Sequence, residues 1–286
     1  MSASNALQKA NSTLATAMEH LGTGKRITKA SDDAAGLQVA TRLQGQTNGM
    51  AVAQRNIADA STMLQTGEGA MDEVSNIMYR MKDLATQGAT DTNTADSRKA
   101  IDTEMDSLKT ELNSIMGNTS YAGNKLFSDT KDASGTVTSK AKMGAEMTFQ
   151  TGSESGETTK VDVSSQLSNV FSSINTLSTA SVQDSADGKT SGTTNANALI
   201  DTLNTALDNV SSLRSSFGAS INGLSHASAN LTNMKDNTDQ ALGNIQDADF
   251  ASEASKMTRS QMLAQTSTSM LKQSNSMSSL VMSILG

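Results

Sequence analysis

Residues 200–245 read IDTLNTALDNVSSLRSSFGASINGLSHASANLTNMKDNTDQALGNI, and their spacing decides the fold. Ile200, Leu203, Leu207, Val210, Phe217, Ile221, Leu224, Leu231, Leu242 and Ile245 recur at steps of three and four, or at sums of those steps. Such residues share one helix face. The stripe predicts a single helix of about 46 residues, roughly 70 Å long at the usual rise. A narrow stripe cannot hold a helix of this length alone, because tertiary packing supplies most helical stability. The rest of the chain must therefore provide the partners.

Partners are found on the N-terminal side. Between Met50 and Thr90, Ala53, Ile57, Ala60, Leu64, Met71, Val74, Ile77, Met81 and Leu84 repeat the pattern. Ile101, Met105, Leu108, Leu112 and Ile115 repeat it again after a polar break at 90–97, up to a stop signal at Gly117-Asn118. Nearer the start, Leu7, Leu14 and Leu21 lie seven apart with Ala10 and Ala17 between them, a coiled-coil type of seam. It halts at Gly22-Thr-Gly24, and Ser31 or Asp32 is the expected cap of a helix running through Leu37, Val39 and Leu43. The C-terminal segment mirrors the first seam with Leu263, Met270, Met277, Val281 and Ile284, interrupted by Ser267 and Ser274.

The middle reads differently. Ser, Thr, Gly and Asp dominate 128–198, with alternation only at Glu146–Gln150 and Thr159–Val163, a predicted β-hairpin. Asp184 to Asn197 is aperiodic and predicts an exposed loop. The order is helical, helical, irregular, helical, helical.

Composition narrows the function. The 286 residues contain no proline, cysteine or tryptophan, and aromatics make up 2%. Proline is excluded from helix interiors, so its absence suits a helix-rich chain. With few rings, Leu, Ile, Val, Ala and 17 Met must fill thin cores between helices. No disulfide or cysteine-held metal is possible. A net charge of −7 leaves no basic stripe for nucleic acid. No apolar stretch is long enough for a membrane span, and the polar opening lacks the core of a cleaved signal peptide.

Catalytic constellations are weak. His20 and His226 are the only histidines, on separate predicted helices, and read as solvated surface. Asp247 and Asp249 diverge on a helix and read as capping or loop residues, not as an acid/base pair. Gly22-Thr-Gly24-Lys25 resembles a phosphate loop, but Glu19 and Arg26 stand where that motif needs Gly and Ser/Thr. The Met-rich C-terminus reads as adaptable seam filler. No catalytic residue, cofactor or metal site is expected.

The two end seams are too thin to bury much area on each other. They are expected to be loose in the monomer and to order when copies pack together. Non-closing contacts of that kind build helical filaments.

At several stretches the chain resembles a known family, the bacterial flagellins. Gly24-Lys-Arg26-Ile27 through Ala30-Ser-Asp32-Asp33-Ala34-Ala35-Gly36 is similar to the flagellin signature SGLRINSAKDDAAG. Gln65-Thr-Gly-Glu68-Gly-Ala70-Met-Asp-Glu73 resembles TTEGALNE, and Asn118-Thr-Ser-Tyr121-Ala-Gly123-Asn124-Lys-Leu126-Phe127 resembles NQTQFNGVKVL. Ile245-Gln-Asp247-Ala-Asp249-Phe250-Ala-Ser-Glu253 and Gln261-Met-Leu263-Ala-Gln265 resemble IEDSDYATE and ILQQ. The wording at Tyr79-Arg80-Met-Lys82-Asp83-Leu84 is similar to lateral-type flagellins.

The resemblance implies a mainly α fold, a long antiparallel helical bundle or coiled coil of N- and C-terminal segments with a small β-hairpin in the middle. It implies an inner filament-core domain of residues 1–34 and 246–286. A helical-bundle domain with the hairpin would cover 35–170 and 198–245, and a short variable loop 171–197 would replace large outer domains. The implied function is a secreted structural subunit that polymerises into the flagellar filament for motility, exported through the flagellar type III channel. Implied partners are identical copies, an export chaperone, and hook-junction and cap proteins. Self-assembly would use Leu7, Leu14, Leu21, Leu263, Met270, Met277, Val281 and Ile284. Arg80, Leu84 and Glu104 match the family's contacts with a vertebrate Toll-like receptor. The opening lacks the family's usual Asn-Thr-Asn-rich stretch, so a trimmed or reduced inner domain is expected. A cell-surface adhesin binding polysaccharide through the Ser/Thr/Gly-rich middle is the rival reading.

Overall fold

The computed structural model describes residues 2–131, 137–184 and 191–285. Its elements in chain order are α1 (Ser2–Thr23), α2 (Ala34–Gly88), α3 (Ala95–Asn118), the short strands β1 (Ser120–Tyr121), β2 (Asn124–Lys125), β3 (Thr130–Lys131) and β4 (Val137–Ser139), a 3-10 turn at Lys142–Gly144, β5 (Met147–Gln150), β6 (Thr158–Val161), α4 (Ser164–Ser178), α5 (Gly192–Gln246) and α6 (Phe250–Leu285). The fold is mainly α with small hairpins, as the periodicity predicts. Two compact units divide the chain, Met1–Asn48 with Asn233–Gly286, and Gly49–Thr232.

The second unit is a packed helical bundle. From α2 it buries Ile57, Leu64, Met71, Val74, Met78, Met81 and Leu84; from α3, Ile101, Met105, Leu112 and Met116; from α5, Leu199, Leu203, Val210, Leu213, Phe217, Leu224 and Leu231. Apart from Phe127 and Phe217, the buried side chains of this core among the described residues are Met, Leu, Ile, Val and Ala, the consequence of a chain nearly without aromatics. Gly67 lets two layers approach: a Cβ there would stand 3.0 Å from Met143 Cε and 3.5 Å from Phe217 Cζ.

The polar break 90–97 is closed by side chains. Thr94 caps α3 by accepting from the Ser97 amide. Arg98, buried, donates to the Gly88 and Thr90 carbonyls at the end of α2 and to Thr193 Oγ at the start of α5. One turn later, buried Asp102 accepts from Ser181, Gln183 and the Val182 amide. These two charged residues satisfy backbone groups that the helix ends leave open.

The predicted hairpin is β5–β6, antiparallel with Met147 opposite Val161 and Gln150 opposite Thr158. Met147 and Val161 point into the core. A tighter hairpin, β1–β2, turns on Ala122 and Gly123, whose φ angles are 48° and 81°. Positive φ at both central residues marks a type I′ turn.

One expectation is corrected. The variable loop 171–197 begins and ends as helix: residues up to Ser178 belong to α4, and Gly192 starts α5. Leu167, Val170, Ile174 and Leu177 keep the three-four spacing and are buried, which holds α4 on the bundle. Residues 185–190 of that span lie outside the described residues.

Candidate functional site

The first unit holds the seams read as assembly elements. Its base is a junction in which the chain's early and late segments meet. Gly24, with φ 71°, ends α1 and lets the backbone turn. Lys25 then bridges Asp247 in antiparallel fashion, with the Arg26 amide donating to the Gln246 carbonyl at 2.7 Å and the Ala248 amide to the Gly24 carbonyl at 3.0 Å. The Arg26 guanidinium donates to the Ile245 carbonyl at 2.9 Å, capping the end of α5.

Residues 27–36, the most signature-like stretch, fold as a capped turn. Ile27 is buried. Asp32 Oδ2 accepts from the Thr28 and Lys29 amides at 3.0 and 2.9 Å, bonds that hold its carboxyl below the usual carboxylate range. Lys29 pairs with Glu19 of α1 at 2.8 Å and lowers that carboxyl as well. The cap of α2 is therefore Asp33, whose Oδ1 accepts from the Gly36 amide at 2.8 Å, and neither Ser31 nor Asp32. Asp32 is occupied by the turn preceding the helix. Gly36 is required: a Cβ would strike the Asp33 carboxylate and approach Ile27 Cδ1 to 2.8 Å. Asp249 caps α6 through the Ala251 and Ser252 amides, the role read for it from the sequence.

From this base α1 and α6 pack antiparallel, α1 running in and α6 running out. Ala10 and Ala17 of α1 are buried while Leu7, Leu14 and Leu21 are half-buried, so small side chains occupy the centre of the contact. On α6 the inward residues are Glu253, Met257, Ser260, Ala264, Ser267 and Leu271. The row that faces α1 within the subunit is thus a different one from the row expected to serve self-assembly. Leu263 and Met270 are 52% and 62% exposed and lie on the outward face, and the side chains of Met277, Val281 and Ile284 lie outside the described residues. The reason is that small residues at three-four spacing let the helices come close, which larger side chains prevent. Ser and Ala carry no hydropathy signal, so only the spacing could have revealed this row.

His20 departs from its solvated reading. It is buried against α6, with Nδ1 3.6 Å from Glu253 Oε1. Glu253 is buried too, and Lys256 donates to the same oxygen at 2.8 Å, the main cause of a depressed carboxyl. His226 is exposed on α5. Among the described residues no cluster of three or more His, Asp or Glu is placed to hold a metal. Residues of α1 and α6 also line a groove of about 470 Å³, formed by Ala6, Lys9, Ala10, Thr13, Lys256, Arg259, Ser260, Leu263 and Ser267, with cations and no carboxylate in its wall.

The three residues expected to contact a receptor fall in the second unit. Arg80 and Glu104 are exposed and bind each other, guanidinium to carboxylate at 2.6 and 3.0 Å. Leu84 is 2% exposed. It follows Met81 on the inward stripe of α2, so its side chain belongs to the core and is withdrawn from any partner.

Comparison with known proteins covers both ends of the chain. The bacterial flagellin N-terminal helical region matches residues 1–132, and the bacterial flagellin C-terminal helical region matches residues 200–285. The chain is 35% identical to the flagellin of Halalkalibacterium halodurans over 269 residues, covering 94% of this chain and 90% of that protein. It is 31% identical over 370 residues to flagellin A of Vibrio anguillarum, covering 100% and 97%. A solved structure assigned as a flagellar hook-associated protein from Vibrio parahaemolyticus shares 20% identity and a TM-score of 0.57, covering 76% of this chain and 100% of that one. This last likeness concerns the fold.

Proposed function

The chain belongs to the bacterial flagellins, structural proteins that polymerise into the flagellar filament for motility, and on that premise we propose that α1 and α6 are its assembly element. The observation that carries this is where uncovered apolar surface lies. Among the described residues, Met18 of α1 and Phe250, Met262, Leu263 and Met270 of α6 are large apolar side chains left exposed, against Val52 and Tyr79 in the second unit. The bundle has buried its own stripe. The end helices keep theirs for a neighbour, and a monomer gains nothing by exposing it.

In this reading the inner filament core is built from 1–34 and 246–286, and the helical-bundle domain with its hairpin from 35–170 and 198–245. Leu7, Leu14 and Leu21 reach neighbouring copies from the half-buried flank of α1, and Leu263 and Met270 from the outward face of α6, continued by Met277, Val281 and Ile284. The chain performs no catalysis. It is secreted through the flagellar type III channel, held before export by a chaperone that covers the end helices, and meets hook-junction and cap proteins at the filament ends. Among the described residues no helix is long and apolar enough to cross a membrane. Arg80 and Glu104, without Leu84, are the proposed points of contact with the vertebrate Toll-like receptor.

Removing residues 258–286 and following assembly by electron microscopy tests the central claim. Soluble subunits with an intact bundle and no filaments are expected. Long filaments from the truncated chain would refute the assembly role of α6. Receptor contact is tested separately, by Arg80→Ala with Glu104→Ala in a reporter-cell assay; an unchanged response removes those two residues from the interface.

A further inference from the structure

Methionine is unevenly protected in this chain. Every methionine between residues 50 and 147 is buried, none more than 8% exposed. In the unit holding α1 and α6, by contrast, Met262 and Met270 are 58% and 62% exposed, and Met18 is 52% exposed. Met262 and Met270 are two turns apart on the outward side of α6, next to Leu263. Thioethers in water react with two-electron oxidants, whereas close-packed ones are shielded.

We propose that Met262 and Met270 are an oxidation site through which peroxide-class oxidants stop the free subunit from assembling. The inference rests on the reading of α6 as an assembly element. In the reaction the thioether sulfur attacks one peroxide oxygen. An S–O bond forms as the O–O bond breaks, and the departing hydroxide collects the remaining proton as water. Sulfur is oxidised by two electrons and the peroxide is reduced. The product sulfoxide is polar and a hydrogen-bond acceptor. Covered by a neighbouring subunit beside Leu263, the sulfoxide gives up its water, and burial of an unmatched polar group is unfavourable. The second unit keeps its fold because its sulfurs are out of reach. Once a subunit is in a filament, its neighbours cover the two thioethers, so the sensitive species is the subunit before assembly.

The test treats the full-length chain with hydrogen peroxide, maps oxygen uptake by peptide mass spectrometry and then seeds elongation. Uptake is expected at Met262 and Met270 together with the similarly exposed Met18, with the hydrogen-exchange protection of residues 49–232 unchanged. Elongation is expected to fall about tenfold or more, the effect of roughly 1.4 kcal/mol per association step. Met262→Leu with Met270→Leu keeps the apolar volume and should elongate normally with or without peroxide. Methionine sulfoxide reductases should restore elongation of the oxidised wild type, an arm that does not depend on the variant folding. Oxidised wild type that elongates at the untreated rate overturns the inference, as does a double-leucine chain as sensitive as wild type. Peroxide-insensitive elongation, together with a 258–286 truncation that abolishes it, defeats the oxidation site alone. A truncated chain that still forms filaments defeats the assembly reading and this one with it.

Discussion

Ala122 occupies a backbone conformation that L-residues other than Asn and Asp avoid, with φ 48° at the first corner of the β1–β2 turn. The type I′ geometry favours Asn followed by Gly, and Gly123 already fills the second corner. Replacing Ala122 by Asn should therefore stabilise the second unit by about 0.5–1 kcal/mol, read as a higher midpoint in urea with an unchanged slope. An unchanged or lower midpoint would show that the strain is relieved elsewhere. Single residues also explain where reading the sequence stops. Asp32 and Asp33 are adjacent, and only geometry separates the carboxylate that staples the preceding turn from the one that caps α2. His20 has polar neighbours in sequence, and its burial comes from a helix more than two hundred positions away. No local pattern announces that.

At the scale of elements, the long helices and the β5–β6 hairpin were legible because their apolar spacing is strong. Two things were not. α4 rests on four apolar residues within a Ser-rich stretch, too weak a stripe beside its surroundings. α6 carries two rows, one of Leu263 and Met270 and another of Met257, Ser260, Ala264, Ser267 and Leu271. Hydropathy selects the first, while close packing on Ala10 and Ala17 selects the second. The junction between α1 and α6 has its own expected behaviour in acid. Glu19, Asp32 and Glu253 all have depressed folded-state pKa values, caused chiefly by Lys29, by the Lys29 and Thr28 amides, and by Lys256 respectively. Depressed carboxyls stabilise the fold at pH values above their unfolded pKa of about 4. That contribution falls away as pH drops through the folded values. Amide signals of Thr28 and Lys29 should report loosening below the ordinary carboxylate range, while the core of the second unit is unaffected. Asp32→Asn should show the loosened signals already at neutral pH, with little further change on acidification. A wild-type junction indifferent to acid would remove these charges from any structural role.

For the molecule as a whole, the contrast between its two units is the governing property. The bundle closes its apolar stripe on itself, whereas the end helices meet through alanine and serine and leave larger side chains outside. Opening free energy follows the apolar contact that each region buries. In dilute solution, amides along α1 and α6 should exchange with deuterium much faster than those of α2, α3 and α5 within 49–232, and should slow on polymerisation. End helices as strongly protected in the free subunit as the bundle would mean that assembly adds no order to them.

Arg26 reaches the carbonyl of Ile245 across 219 positions of chain, and Lys25 meets Asp247 beside it. A contact of such separation cannot be made by a fragment. Whichever terminus is delivered first, the clasp at the root of the end helices stays open until nearly the entire polypeptide has arrived, so this part of the protein is timed to finish last.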